Sequence, residues 1–487
     1  MTLHTPIPVP PARASMAGRK GGPGTRTMLG LAALVALAVF GNGAVLTMAI
    51  AIFAAQAALS AIQLMPSRRG RLIARDKPVH RRPRVYTLHV ATHNEPPEVV
   101  IRTIRGLLAQ VGAPAYEVIV LDNNTQDARL WKPVAAFCEG RNGVRFLHRD
   151  GVEGAKAGAL AIARDMARPD ATHVVTVDAD YAVTSDFLAR ADAALTETGA
   201  DFVQFPQAYD RDSGAPGVSE ELGDYFARFA SHGDRRGATL LTGTLSVISL
   251  DALDAVGGWR AVTVTEDAEL GTRLVEAGYR GHFVPQVVGR GLLPLSAESL
   301  CAQRRRWAHG NAATFLLRPG VARSLAPVRQ LLAWVNFQTF GAILLIWGLA
   351  SELFDLRFGT EIVGLGVATL FLALLAAILP FATASLGAAT CRMALLPSSA
   401  SATFEALCGW EQTFLRTSKL REEISVRMPP EMITTLGLGL GAIVLSAVSG
   451  DRVATAGGIA LCLPAVAYFY LEHELARYRR QLGEVST

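Results

Sequence analysis

The chain has 487 residues, 50% of them hydrophobic, with a net charge of +5 and a mean hydropathy of +0.28. Such apolarity over this length points to a membrane protein with one sizeable soluble domain. Five scattered cysteines (Cys138, Cys301, Cys391, Cys408, Cys462), with no Cys-x-x-Cys pair and no histidine at metal-ligand spacing, argue against a disulfide framework or a zinc site. The basic residues cluster beside apolar segments, where they serve membrane topology, so nucleic acid is not the first partner to consider.

Residues 1–27, rich in Pro, Gly and Arg, read as a disordered basic tail. Residues 28–65 are almost continuously apolar, broken at Gly41-Asn-Gly43, and predict two short transmembrane helices; the stretch is too long for a signal peptide. Arg13, Arg19, Lys20 and Arg26 precede it, and a run from Arg68 to Arg84 follows it, which places both flanks in the cytoplasm.

Residues 66–295 change character. Short β-branched runs at 85–91, 116–121 and 174–177 alternate with helical patterns at 99–110 and 156–166, as expected of a mostly parallel sheet covered by helices. In such sheets ligands sit outside the carboxyl ends of the strands. Polar residues stand where that rule puts them: Thr92-His-Asn-Glu95, Asp122-Asn-Asn-Thr125 and Asp178-Ala-Asp180. In a strand, residues two apart point the same way, so Asp178 and Asp180 can offer hard oxygens to a divalent cation. The same three residues also suit an ordinary strand-end turn.

Residues 296–328 are basic with interspersed aromatics, the pattern of helices lying at a membrane surface. Residues 329–387 and 431–472 each carry two apolar segments and predict transmembrane hairpins. A basic loop at 388–430 separates them, and a tail at 473–487 ends the sequence. Together with the first pair this makes about six crossings, with every basic segment on the cytoplasmic side.

Several motifs in fixed order carry a family resemblance. They are Thr92-His-Asn-Glu95, Lys156-Ala-Gly-Ala159, Asp178-Ala-Asp180, Val203-Gln-Phe-Pro206, Gly243-Thr244, Thr265-Glu-Asp267, Gln303-Arg-Arg-Arg-Trp307 and Phe414-Leu-Arg-Thr-Ser-Lys419. On these the chain resembles the membrane-integrated processive family 2 glycosyltransferases, cellulose synthase and related bacterial β-glucan synthases among them. The resemblance implies a GT-A type α/β nucleotide-sugar-binding domain in the cytoplasm joined to an α-helical transmembrane region.

It further implies roles for particular residues. Thr92, Glu95 and Asp122 would cradle the uridine, and Lys156 would reach the ribose or phosphates. Asp178 would help hold the uridine diphosphate part, and Asp180 would bind Mg²⁺ or Mn²⁺. Asp267, with Glu266 beside it, would be the catalytic base of a single inverting displacement that needs no protein nucleophile. Acids also favour the start of a helix, so both readings apply to Glu266, Asp267 and Glu269. Gln303, Arg306 and Trp307 share one helical face, with Gln303 and Arg306 near the nucleotide sugar and Trp307, Gly243 and Thr244 near the acceptor. Phe414, Thr417 and Lys419 match a gating loop. Family members often carry paired aspartates where this chain reads Asp122-Asn123-Asn124.

The expected activity is therefore polymerisation of a β-linked polysaccharide, a β-glucan from UDP-glucose being favoured, at the cytoplasmic face of the plasma (inner) membrane, with export through the chain's own helices. The partners implied are the UDP-sugar, a growing glycan, membrane lipids and accessory export subunits, and not nucleic acid. Transfer of one sugar to a lipid carrier, synthesis of an amino-sugar polymer and a non-catalytic scaffold are the competing readings.

Overall fold

The structure, a computed structural model, describes residues 51–52, 54–61, 83–210, 215–234, 237–336, 385–410, 412, 427–449 and 452–484. Its α/β part contains the strands β1 (Tyr86–Thr92), β2 (Tyr116–Asn123), β3 (Val144–Arg149), β4 (His173–Thr176), β5 (Ala182–Val183), β6 (Phe202–Gln204), β7 (Ser246–Ser249), β8 (Gly281–Phe283) and β9 (Gly289–Arg290). Seven of them form one sheet in the order β3-β2-β1-β4-β7-β6-β8, and β5 pairs with β9. The first four are mutually parallel. β7 runs antiparallel between β4 and β6, which makes the sheet mixed.

Helices α1 (Pro97–Leu108), α2 (Ala128–Cys138) and α3 (Ala155–Asp165) make the crossovers between the parallel strands, and α4 (Phe187–Thr198) leads from β5 to β6. The central strands are buried on both faces, which accounts for their continuous apolar runs rather than an alternation. Even His89 in β1 is wholly enclosed, and burial pushes its pKa down to about 3, so it stays neutral in the core. Strand order runs outward from β1 to β3 and then returns to the other side of β1 as β4. The carboxyl ends of β1 and β4 therefore flank the reversal point, the place where such sheets leave a crevice.

Among the described residues the longer helices that follow are α5 (Pro216–Tyr225), α6 (Glu266–Glu276), α7 (Ala297–Leu317), α8 (Leu386–Cys408), α9 (Pro430–Ser449) and α10 (Arg452–Glu484). A single apolar cluster joins α5, α7, α8 and α10 through Leu222, Tyr225, Leu300, Ala394, Ala402, Leu471 and Leu475. α7 starts where Ser296 accepts a hydrogen bond from Ser299 N. It buries Leu300, Cys301, Arg304, Ala308 and His309 against its neighbours.

α8 occupies the first half of the segment expected to be a loop. Its Ala, Ser and Cys residues give no strong apolar stripe, yet small side chains let it lie close against α5 and α7 and bury one flank. α10 likewise continues through the expected tail to Glu484. Among the described residues, Pro430–Val448 and Gly457–Gln481 are long and apolar enough to cross a membrane. Ile433, Leu440, Val444, Val466 and Phe469 on these helices are exposed. The other expected spans, within 28–65 and 329–387, lie largely outside the described residues.

Candidate active site

The reversal point opens into a cavity of about 470 Å³, bounded on one side by strand ends and on the other by α5, α6 and α7. At its outer margin the parallel register sets Thr92, Asp122 and His148 side by side on adjacent strands. Asp122 Oδ1 accepts hydrogen bonds from Thr92 Oγ1 and Thr125 Oγ1, both at 2.8 Å. His148 Nδ1 lies 2.8 Å from Asp122 Oδ2, and its ring stacks on Trp131 at 4.2 Å and 8°. Asp122 is only 3% exposed and is not part of the cavity wall. Thr92, Glu95, Asn123 and Asn124 line the wall, with Asp122 bracing Thr92 from behind.

β4 ends two residues before Asp178, and the chain turns there, Tyr181 N donating to Asp178 O at 3.1 Å. α1 holds the turn from below: Thr103 Oγ1 donates to Ala179 O at 2.7 Å and Arg102 Nη2 to Asp180 O at 3.1 Å. The turn reading of Asp178-Ala-Asp180 is thus realised, and both aspartates line the cavity. Asp180 Oδ2 accepts from Leu292 N at 3.1 Å. Asp178 Oδ1 lies 2.5 Å from Lys156 Nζ, which also donates to Gly243 O at 2.8 Å and stands 3.8 Å from Glu266 Oε1. Burial alone would lower the Lys156 pKa, but the surrounding Asp178, Glu266 and Asp267 charges raise it, so the ammonium is retained.

Among the described residues no three His, Cys, Asp or Glu side chains converge on one point. The donors available, two carboxylates in one turn, suit a hard cation whose remaining positions are filled by ligand phosphates and water, as Mg²⁺ prefers.

Asp267, in the first turn of α6, lines the middle of the cavity. Burial, reinforced by the adjacent Glu266 charge, pushes its pKa up to about 7 despite the opposing pull of Lys156. Gly243 faces it in the left-handed region at φ +84, and a Cβ there would come within 3.0 Å of Asp267 Oδ2, so this turn must carry glycine. Gln204 holds the turn: its Nε2 donates to Thr244 O at 2.8 Å, and its Oε1 accepts from Thr242 N at 2.9 Å and Ser246 Oγ at 2.6 Å. Gln207 Nε2 adds a bond to Thr242 O. Thr244, expected near the acceptor, is fully buried outside the wall, and its Oγ1 accepts from Asp178 N at 2.9 Å. It therefore supports the aspartate turn. Gly310 on α7 lets that helix approach Thr265 closely, where a Cβ would meet Thr265 Oγ1 at 2.4 Å.

α7 supplies the far wall through Gln303, Arg306 and Trp307. Burial lowers the Arg306 pKa, against the charges of Glu266, Asp178 and Asp267, which identify the acids it faces. Trp334 and Tyr225, to which no sequence pattern pointed, complete an aromatic end. Trp307 and Trp334 lie 5.4 Å apart at 58°, and Tyr225 stacks on Trp334 at 5.0 Å and 25°. His148, Gln204, Tyr209 and Arg304 also support the site, Gln204 and Arg304 from inside the quoted motifs. Phe414, Thr417 and Lys419 lie outside the described residues.

Residues 83–310, the stretch that builds this cavity's polar side and much of its aromatic one, match the family described as glycosyltransferase like family 2. These residues hold the mixed sheet described above and are similar to that glycosyltransferase family. The chain resembles cellulose synthase catalytic subunits. It is 31% identical over 233 residues to the UDP-forming subunit of Xanthomonas axonopodis pv. citri, covering 46% of this chain and 31% of that one. It is 26% identical over 288 residues to the cellulose synthase 1 catalytic subunit of Komagataeibacter xylinus, covering 57% of this chain and 37% of that one. The matched region thus spans about a third of these relatives (31% and 37%). A mannosyltransferase of Pyrobaculum calidifontis, solved with GDP-Man and Mn²⁺, superposes with a TM-score of 0.44 at 18% identity over 88% of this chain and 99% of its own.

Proposed function

We propose that the protein is a hexosyltransferase that polymerises a β-linked glycan, a β-glucan from UDP-glucose, by inverting transfer, and passes the product through its own membrane helices. The observation that carries this reading is the placement of Asp267 on the wall shared by a charged end and an aromatic end of one cavity, with its pKa brought up to about 7. A carboxylate tuned there is suited to accept a hydroxyl proton near neutral pH.

The charged end takes the diphosphate of the donor. Lys156 and Arg306 offer cationic donors to phosphate oxygens, while Thr92 and Glu95 line the side assigned to the nucleoside. Asp180, with Asp178 beside it, would hold Mg²⁺ or Mn²⁺, and the ion would supply positive charge for a departing diphosphate. The aromatic end takes the acceptor sugar, whose C–H faces stack on Trp307. Asp267 removes the proton from the acceptor hydroxyl as that oxygen bonds to the anomeric carbon and the bond to the diphosphate breaks. Proton, nucleophile and leaving group are then accounted for, and one displacement inverts the configuration. The chain resembles subunits named UDP-forming, which supports a UDP-sugar donor.

Incubating the purified protein in lipid with a panel of UDP-sugars, then measuring nucleotide release, product length and linkage, tests the proposal. Polymer from UDP-glucose is expected. A single labelled lipid would replace the processive reading with lipid-carrier transfer, and polymer from a UDP-amino sugar alone would replace the donor.

A further inference from the structure

Three arginines stand in a row on α7, and each points to different acids. Arg306 faces Glu266, Asp178 and Asp267 across the cavity. Arg305 pairs with Glu405 on α8 and, at 3.4 Å, with Glu431 on α9. Arg304 turns away from both, as successive helical positions must, and is the largest fully buried side chain among the described residues.

Arg304 and its partner Glu221 on α5 are both 0% exposed. Desolvating two such charges costs several kcal/mol, and an apolar pair of similar volume often gives equal or greater stability. Something other than stability therefore suits a guanidinium here, and its geometry suggests what. Nε and Nη2 hold Glu221 Oε2 at 3.3 and 2.9 Å. Nη1 donates to Gln303 Oε1 at 2.6 Å, and Tyr209, whose hydroxyl lies 3.4 Å from Nη1, donates to the same Gln303 oxygen at 3.0 Å. With its edge fixed by these groups, the guanidinium carbon lies 4.2 Å from the centre of the Trp307 ring and 5.0 Å from that of Trp334. Arg392 on α8 stands 3.8 Å from Glu221 Oε1 and pairs with Asp224 at 2.5 Å, so the arrangement is anchored on three helices.

We propose that Arg304 is a positioning residue for the acceptor. Wedged behind the two indoles, its flat cation sets the angle between them, and with it the orientation in which a glycan end stacks against Trp307. The same residue holds Gln303, which lines the cavity beside them. This rests on reading the aromatic end as the acceptor site. Lysine cannot substitute, because it lacks the planar fork that contacts acid at its edge and indole at its face.

Two variants test this in the full-length protein: Arg304→Lys, and the double variant Arg304→Met with Glu221→Leu, which removes both buried charges together. Thermal unfolding, donor KM, donor hydrolysis without acceptor, acceptor KM, and direct binding of a β-glucan oligosaccharide followed by tryptophan fluorescence are measured for each. Both variants are expected to raise acceptor KM and oligosaccharide Kd about tenfold, with donor KM and donor hydrolysis changed less than about twofold. The double variant is expected to unfold no earlier than the wild type. A folded double variant with wild-type acceptor KM and Kd would reduce Arg304 to a structural ion pair, as would equal losses in donor and acceptor parameters. If the wild type itself neither binds nor extends any oligosaccharide, the acceptor reading fails first and the role of Arg304 with it.

Discussion

The two ends of the cavity are built on opposite plans. At the charged end, strand termini and the start of α6 turn ionised groups into the open space, where Lys156, Asp178, Glu266, Asp267 and Arg306 neutralise one another across it. At the aromatic end, helices present rings to the space and keep the ions behind them, in the Arg304–Glu221 pair. A diphosphate is bound by charges it can touch, whereas a neutral sugar is bound by flat apolar faces whose orientation must be held. The difference teaches that one helix, α7, serves both ends by pointing alternate side chains of a single arginine run in different directions.

This contrast can be broken experimentally, most severely at the charged end. Asp180→Ala should reduce transfer to the limit of detection and abolish its response to Mg²⁺ or Mn²⁺, leaving the protein in the membrane fraction; metal-stimulated nucleotide release by that variant would remove the proposed metal seat. Asp267→Asn should lower kcat about 10²–10⁴-fold, the range of a general base.

The raised Asp267 pKa also sets two pH dependences. Only the deprotonated base is active, so kcat/KM should rise with pH up to about 7 and then level off. Stability has the opposite sign. Between the ordinary carboxylate range and about 7 the folded chain holds a proton that the unfolded chain has lost, so Asp267 makes the protein less stable as pH rises through that window. Asp267→Asn should accordingly melt no lower than the wild type at pH 8, and an early-melting variant would assign its lost activity to misfolding.

A smaller effect is expected at the aromatic end. Trp307→Ala should raise acceptor KM about tenfold through lost stacking and leave donor KM within about twofold. Equal changes in both constants would dissolve the distinction between the ends. The smallest effect belongs to Asp122→Asn, since Asp122 braces Thr92 from outside the wall. Donor KM measured by nucleotide release should rise only a few-fold, whereas a loss as large as that of Asp180→Ala would mean that Asp122 meets the donor directly.

Much of the site was legible in the residues. The strand ends bearing Thr92, Asp178 and Asp180 could be placed by the rule for parallel sheets, and all three line the cavity together with Glu95, Lys156, Gly243, Glu266, Asp267, Gln303, Arg306 and Trp307. Asp122 and Thr244 were legible as polar residues near the site but not as residues behind its wall. Strand register and the burial of each side chain decide that, and neither has a linear signature. α8 was hidden because small residues pack well without making an apolar stripe. Trp334 and Tyr225 went unmarked because they come from separate helical segments that only packing brings together.

The sequence by itself determined the alternation of strand and helix, the order of the acidic stations and the apolar character of the helical half, because backbone periodicity and side-chain type are local properties. Tertiary structure alone decided which of three adjacent arginines meets the cavity, which is buried behind the indoles and which joins α8 and α9. Their chemistry is identical, and their surroundings come from α5, α6, α8 and α9, elements up to 126 residues away in the chain.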